Sequence, residues 1–236
     1  MPEHVKSIKF VIVQFNLPVR IEDLPMFRGA VIETTQRKND LFHNHGESGV
    51  IYRYPRIQYK KIRGKAALMC FQEGTEAIHD FFFQTDWSLR MGEQEHEIKV
   101  EEIKAHHYNI GIWENRFDYR ITNWLPLNQE NYQKYHQTVN LSEKIVILEK
   151  ALLGNLLTFT QEMGVETSKK ITAVITRIDR EKVVQYHGQL MQSYDMHFAT
   201  NVSIPNYASL GKGGSIGYGV VFKEKNLERG KKYNYL

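Results

Sequence analysis

The sequence contains one cysteine, Cys70, in 236 residues. That excludes an internal disulfide, and with it the stapled small folds of secreted proteins. Cys70 stands in the apolar run AALMCF, where a thiol acts as a small buried hydrophobe. No stretch approaches the ~18 apolar residues that a membrane-spanning helix needs. The opening MPEHVKSIKF also lacks the apolar centre of a signal peptide, so a cytoplasmic protein with no membrane partner is expected. Acids are missing from one region above all. Between Arg53 and Lys65 stand Arg53, Arg56, Lys60, Lys61, Arg63 and Lys65, with no Asp or Glu among them. The whole chain carries only +4, from 31 basic and 27 acidic residues, so its positive charge is concentrated. A local excess of this kind suits a polyanionic partner.

At 42% hydrophobic and 25% charged, the composition is that of a folded, water-soluble chain. The length suits two compact domains. Alternation in SIKFVIVQF predicts a strand over 7–15. Leu24, Phe27, Ala30, Val31 and Thr34 recur at helical spacing, and Pro25 is tolerated only in a first turn, so a helix should begin near Leu24. Strands are expected at 49–54 and 65–71, a short helix from Gly74 to Phe83, and extended segments near 87–91 and 97–110. That order fits a ferredoxin-like unit closing near residue 112. The second half gives a strand at 117–124 and a helical region from Leu127 to Gly164. Within it Leu141, Ile145, Leu148, Leu152, Leu156, Phe159 and Met163 form an apolar stripe, with Asn140 and Glu143 resembling a capping box. Strands follow at 169–178, 182–187, 194–202 and 218–222. The expected class is α+β, with two tandem ferredoxin-like, RRM-like domains at 1–112 and 113–236. The halves share no sequence repeat.

Three segments could carry chemistry. In LFHNHGESG, His43 and His45 lie two apart in a polar, glycine-containing stretch between a helix and a strand. Imidazoles titrate nearest neutrality, so one can accept a proton while the other donates one during phosphodiester cleavage. The rival use is metal binding, but zinc usually takes at least three protein ligands, and only Glu47 is close by. His79, His106, His107, His187 and His197 read as structural or solvated. The next stretch, YRYPRIQYKKIRGK, interleaves Tyr52, Tyr54 and Tyr59 with the cations. Arg53, Arg56, Lys60 and Lys61 are candidate phosphate contacts, and an amphipathic strand is the plain alternative. Near the C-terminus, SLGKGGSIGYGVVF carries Gly211, Lys212, Gly213, Gly214, Gly217 and Gly219. It can cradle phosphate through backbone amides or form a tight turn, and it lacks the GK[ST] ending of a P-loop.

Taken in order, LFHNH, YRYPRIQYK, ITNWLPLNQENYQKY and GKGGSIGYG resemble the CRISPR-associated repeat-processing endoribonucleases of the Cas-six type, closest to the b branch. The resemblance covers both halves. It implies paired ferredoxin-like domains, no metal or other cofactor, and CRISPR repeat RNA in a precursor transcript as substrate. It also implies attack by a ribose 2′-hydroxyl, leaving a 2′,3′-cyclic phosphate and a 5′-hydroxyl. By motif, His45 is the principal catalytic histidine, His43 its partner, and Tyr52 a group that orients or stabilises. Homodimers and association with other CRISPR effector subunits are compatible with it. The terminal loop is shorter than the family's spaced glycine pattern. The alternative class is a non-catalytic RNA-binding subunit of an effector complex, against which the histidine pair argues.

Overall fold

The computed structural model describes residues 5–35, 40–42, 45–46, 49–50, 54–83 and 87–224, with backbone only at 45–46 and 49–50. The first half contains β1 (Val5–Pro18), α1 (Leu24–Thr34), β2 (His45–Gly46), β3 (Gly49–Val50), β4 (Ile57–Ile62), β5 (Lys65–Phe71), α2 (Gly74–Phe82), β6 (Ser88–Met91) and β7 (Gln94–Glu97). Then come β8 (Val100–Trp124), α3 (Gln129–Gln137), α4 (Leu141–Glu162), β9 (Ala173–Tyr186), β10 (Gln189–Val202) and β11 (Val220–Lys223). One antiparallel sheet runs β4-β5-β1-β8-β10-β9, with β11 also paired to β8.

Within this sheet the order β8-β1-β5-β4 places the fourth, first, third and second strands of a βαββαβ unit side by side. This is the ferredoxin-like arrangement. The order β11-β8-β10-β9 repeats it in the second half, with β8 now serving as first strand. Both halves are therefore ferredoxin-like and α+β, as expected. The second unit has no helix between its third and fourth strands; residues 203–219 fill that place with a loop and a short 3-10 turn, Gly214–Ile216.

Two expected strands prove to be one. Residues 100–110 of the first and all of 117–124 belong to β8, whose pairing passes from β1 at Gly111 to β10 at Ile112. A large bulge between the Ile112–Val202 and Phe117–Thr200 pairs takes up residues 113–116. Asp179 is likewise skipped where β9 pairs β10, so 169–178 and 182–187 fall largely in the single strand β9. The expected strand at 49–54 is a correction of another kind. Gly49 and Val50 pair there, residues 51–53 lie outside the described residues, Tyr54 is in no strand, and the longer strand lies at Ile57–Ile62. Pro55 has no amide to give a ladder, and Tyr54 turns into the core against Phe71 and Phe159.

Alternation along β1 feeds two cores. Val13 and Phe15 face α1 and α2, whose Phe27, Ala30, Val31 and Phe81 cover that side of the sheet. Ile8 and Phe10 face the other way, into a core continuous with the second unit and filled by Leu148, Leu152, Leu156 and Phe159 of α4. Asn140 caps α4, accepting from the Ser142 amide at 2.9 Å, so the cap closes on Ser142. Cys70 is buried, and burial pushes its thiol up to about 12. Among the described residues no helix is long and apolar enough to cross a membrane.

Gly219 shows how tightly the returning chain closes. Its φ is +62°, Leu210 donates its amide to the Gly219 carbonyl at 2.8 Å, and a β-carbon there would run into the Leu210 carbonyl oxygen. Gly219→Ala should therefore cost at least about 2 kcal/mol and lower the melting midpoint by roughly 4–8 °C. A thermal melt unchanged by the substitution would contradict this close approach.

Candidate nucleic-acid interface

β4 is an edge strand, and its alternation sorts the basic stretch into inward and outward groups. Ile57 and Tyr59 point to the α1 core, while Gln58 and Lys60 point to the opposite side. Lys60 is 1% exposed, and its ammonium nitrogen donates to Ser209 Oγ and to the Gly214 carbonyl at 3.4 Å. Burial holds its pKa well below the ordinary value. Expected as a phosphate contact, Lys60 instead ties β4 to the glycine loop. Arg56 is similarly committed: its guanidinium lies 3.4 Å from Glu73 and 3.5 Å from Glu162, joining α2 to the end of α4. Lys61 is exposed. Arg53 falls outside the described residues.

The glycine loop divides in the same way. Gly211 and Lys212 are exposed and Gly213 half-buried, whereas Gly214, Gly217 and Gly219 are buried. For these last three, the expectation of direct RNA approach gives way to a packing role. Gly217, at φ +86°, lies so close to the Leu24 side chain that a β-carbon would collide with it, and this contact seats the loop on α1. Gly213 accepts from the amides of Ile216 (3.0 Å) and Tyr218 (3.2 Å), closing the loop tip. Against that tip lies the turn of the β9–β10 hairpin, where the Tyr186 ring meets Tyr218 edge-on at 5.4 Å and His187 at 4.3 Å. Burial raises the Tyr186 phenol pKa and the nearby Arg28 guanidinium opposes the rise, which places Arg28 at the same locus. Sequence reasoning missed Tyr186, Tyr218 and Arg28; the His187–Gly188 turn dipeptide was the only available signal.

The histidine segment is fixed at both ends. Before it, the Phe42 carbonyl accepts from the Tyr59 hydroxyl at 3.1 Å, on the α1 side of the sheet. After it, Tyr54 is buried on the opposite side against Phe159. The two anchors thus lie on opposite faces of the sheet, and Tyr59 belongs to edge strand β4. The backbone of His45 pairs with Val50 and that of Gly46 with Gly49. His43 and Tyr52, and the side chain of His45, lie outside the described residues. Of the histidines set aside as structural or solvated, His197 is wedged between Asp179 and Glu224, each 2.7 Å from a ring nitrogen. His106 stacks on Phe10 at 4.9 Å.

Two family models match the chain: the Cas6b N-terminal domain over residues 6–109 and the Cas6b C-terminal domain over 111–224. The uncharacterised protein MJ0978 of Methanocaldococcus jannaschii is 31% identical over 128 residues, which is 54% of this chain and 81% of that protein. A crystal structure of Cas6b aligns with a TM-score of 0.82 at 21% identity, covering 93% of this chain and 100% of the other. A crystal structure of the CRISPR RNA processing endoribonuclease Cas6b gives 0.69 at 21% identity, with the same coverage. Csf5, a CRISPR-Cas type IV Cas6 crRNA endonuclease, gives 0.59 at 15% identity over 92% of this chain and 100% of its own. At these identities the structural likeness speaks for the fold.

The Lys60 bridge has a pH signature. Because its folded pKa lies below the ordinary 10.5, the unfolded chain binds a proton over that interval that the folded chain does not. Stability should therefore rise with pH on the approach to 10.5. Lys60→Met keeps the stem and removes the titrating group. Its urea midpoint should lack the alkaline rise of the unsubstituted protein between roughly pH 8 and pH 10. Parallel profiles for the two proteins would contradict the burial of this amine.

Proposed function

The chain belongs to the Cas6b family, and from that premise we propose that it is a metal-independent endoribonuclease that cleaves CRISPR repeat RNA in precursor transcripts to release guide RNAs. The observation that carries this reading is the pair of family matches, which together run from residue 6 to 224 with a single residue between them. They take in the histidine segment, the basic strand and the glycine loop. The two domains are read as 1–112 and 113–236, a division supported by the change of β8 partners between Gly111 and Ile112. RNA is the partner, and the setting is the cytoplasm.

The ribose 2′-hydroxyl attacks the adjacent phosphorus, which requires one group to take its proton and another to protonate the departing 5′-oxygen. His45 and His43 supply that pair, with Tyr52 orienting or stabilising the reacting groups. The products are a 2′,3′-cyclic phosphate and a 5′-hydroxyl. Charge building on the phosphoryl oxygens needs cations or amide donors nearby. Lys61, the exposed lysine of β4, is suited to this.

In excess chelator, the unmodified protein should cut its cognate repeat RNA at one position, and the 3′ fragment should begin with a 5′-hydroxyl. His45→Ala should slow single-turnover cleavage by about 10²–10⁴-fold. Cleavage that stops in chelator would reject the metal-independent mechanism. Full activity in His45→Ala would move the active site elsewhere. RNA binding without cleavage by either protein would favour the non-catalytic subunit.

A further inference from the structure

We propose that the cleft between α3, α4 and the glycine loop is a second RNA contact that holds one unpaired nucleotide by its phosphate. The inference rests on the reading of the chain as an RNA-binding protein, but it uses none of the histidine chemistry.

The cleft has a volume of about 430 Å³. That falls toward the lower end of small-ligand sites, roughly 300–1,000 Å³, and suits one nucleotide better than a duplex. Lys134 of α3, Lys150 of α4 and Lys212 of the loop reach it from three elements. No carboxylate lines it, and none of the three lysines forms an ion pair with another described residue. Three lysines lining one cleft with no carboxylate among its walls give it a positive potential that a phosphate would complement. The floor is apolar, formed by Leu127, Ile147 and Ala151, a surface on which a base can lie.

Local structure holds these groups in place. Trp124 Nε1 donates to Asn155 Oδ1 at 2.9 Å, and Gly211 packs directly over both. A β-carbon at Gly211 would stand 2.7 Å from Asn155 Oδ1, so only glycine lets the loop lie against α4 and bring Lys212 to the cleft. Asn128 caps α3 by accepting from the Asn131 amide at 2.8 Å, and both asparagines line the cleft. The positive end of α3 therefore opens onto the same space.

Gly154 of α4 supplies a charge-neutral probe. It lines the cleft, and a β-carbon there would meet nothing within 4 Å. Gly154→Leu should fill the cleft without lowering the melting midpoint, since leucine favours a helix more than glycine does. It should weaken equilibrium affinity for repeat RNA by at least about fivefold. The double variant Lys134→Gln/Lys150→Gln should bind about tenfold more weakly, and its slope of log K against log salt should shrink by about 0.7, for the loss of one phosphate contact on a single strand. Unchanged affinity in Gly154→Leu, with its fold intact, overturns the proposal and leaves the proposed function standing. An unmodified protein that binds no RNA overturns both. A lack of cleavage bears only on the histidines, because affinity is read separately.

Discussion

The structure depends on one unbroken strand that changes partners halfway. β8 ends its pairing with β1 at Gly111 and begins pairing with β10 at Ile112, so the two ferredoxin-like units share a backbone and cannot pivot as beads on a linker. Ser203 secures the exchange. Its hydroxyl accepts from the Gly111 amide (3.0 Å) and from Trp113 Nε1 (2.8 Å), and donates to the Asn109 carbonyl (2.7 Å). That uses both lone pairs and the proton of one hydroxyl. With the strand fixed, edge strand β4 of the first unit and the glycine loop of the second meet at a set distance, which Lys60 spans.

The second unit gives up a helix to make this meeting. Where the first unit has α2 between its third and fourth strands, the second has residues 203–219. A loop in that place must hide its own polar backbone, and it does so by pairing with its surroundings. Tyr207 donates its amide to the Val221 carbonyl, Val221 donates to Ala208, Leu210 donates to Gly219, and Gly219 donates to Asn123. The buried glycines answer to that packing, with Gly217 against Leu24 and Gly219 against Leu210. Gly211 and Lys212 form an exposed limb of the loop.

How much could be read from the sequence follows from which forces are local. The α4 stripe was legible because helical periodicity is a property of the segment itself. β5 and β10 were legible because apolar and β-branched residues announce a strand. The single strand β8 was not, because a bulge at 113–116 is set by its neighbour across the sheet. β4 was missed for a related reason: the charged IQYKKI lacks the apolar run that announces a strand, yet it carries the ladder with β5 just after Pro55 and the buried Tyr54. For the site, the resemblance supplied the histidines, whereas Tyr186, Tyr218 and Arg28 come together only through tertiary packing. The capping residue Asn140 was legible, and its partner was not.

The same distinction governs the basic stretch. Counted along the chain, six cations suggest a single phosphate-binding ribbon, yet the fold divides them. Lys60 is buried, where desolvation disfavours the charged form that a phosphate would need. Arg56 is held between Glu73 and Glu162, and Lys65 bonds Glu101 at 2.7 Å. Lys61 and Arg63 remain at the surface. Attraction for a polyanion depends on cations that stay ionised and unneutralised, so the useful charge lies on the outward side of β4, the exposed limb of the loop and the α3–α4 cleft. A net charge of only +4 is then no obstacle to binding RNA, because no carboxylate lines the α3–α4 cleft.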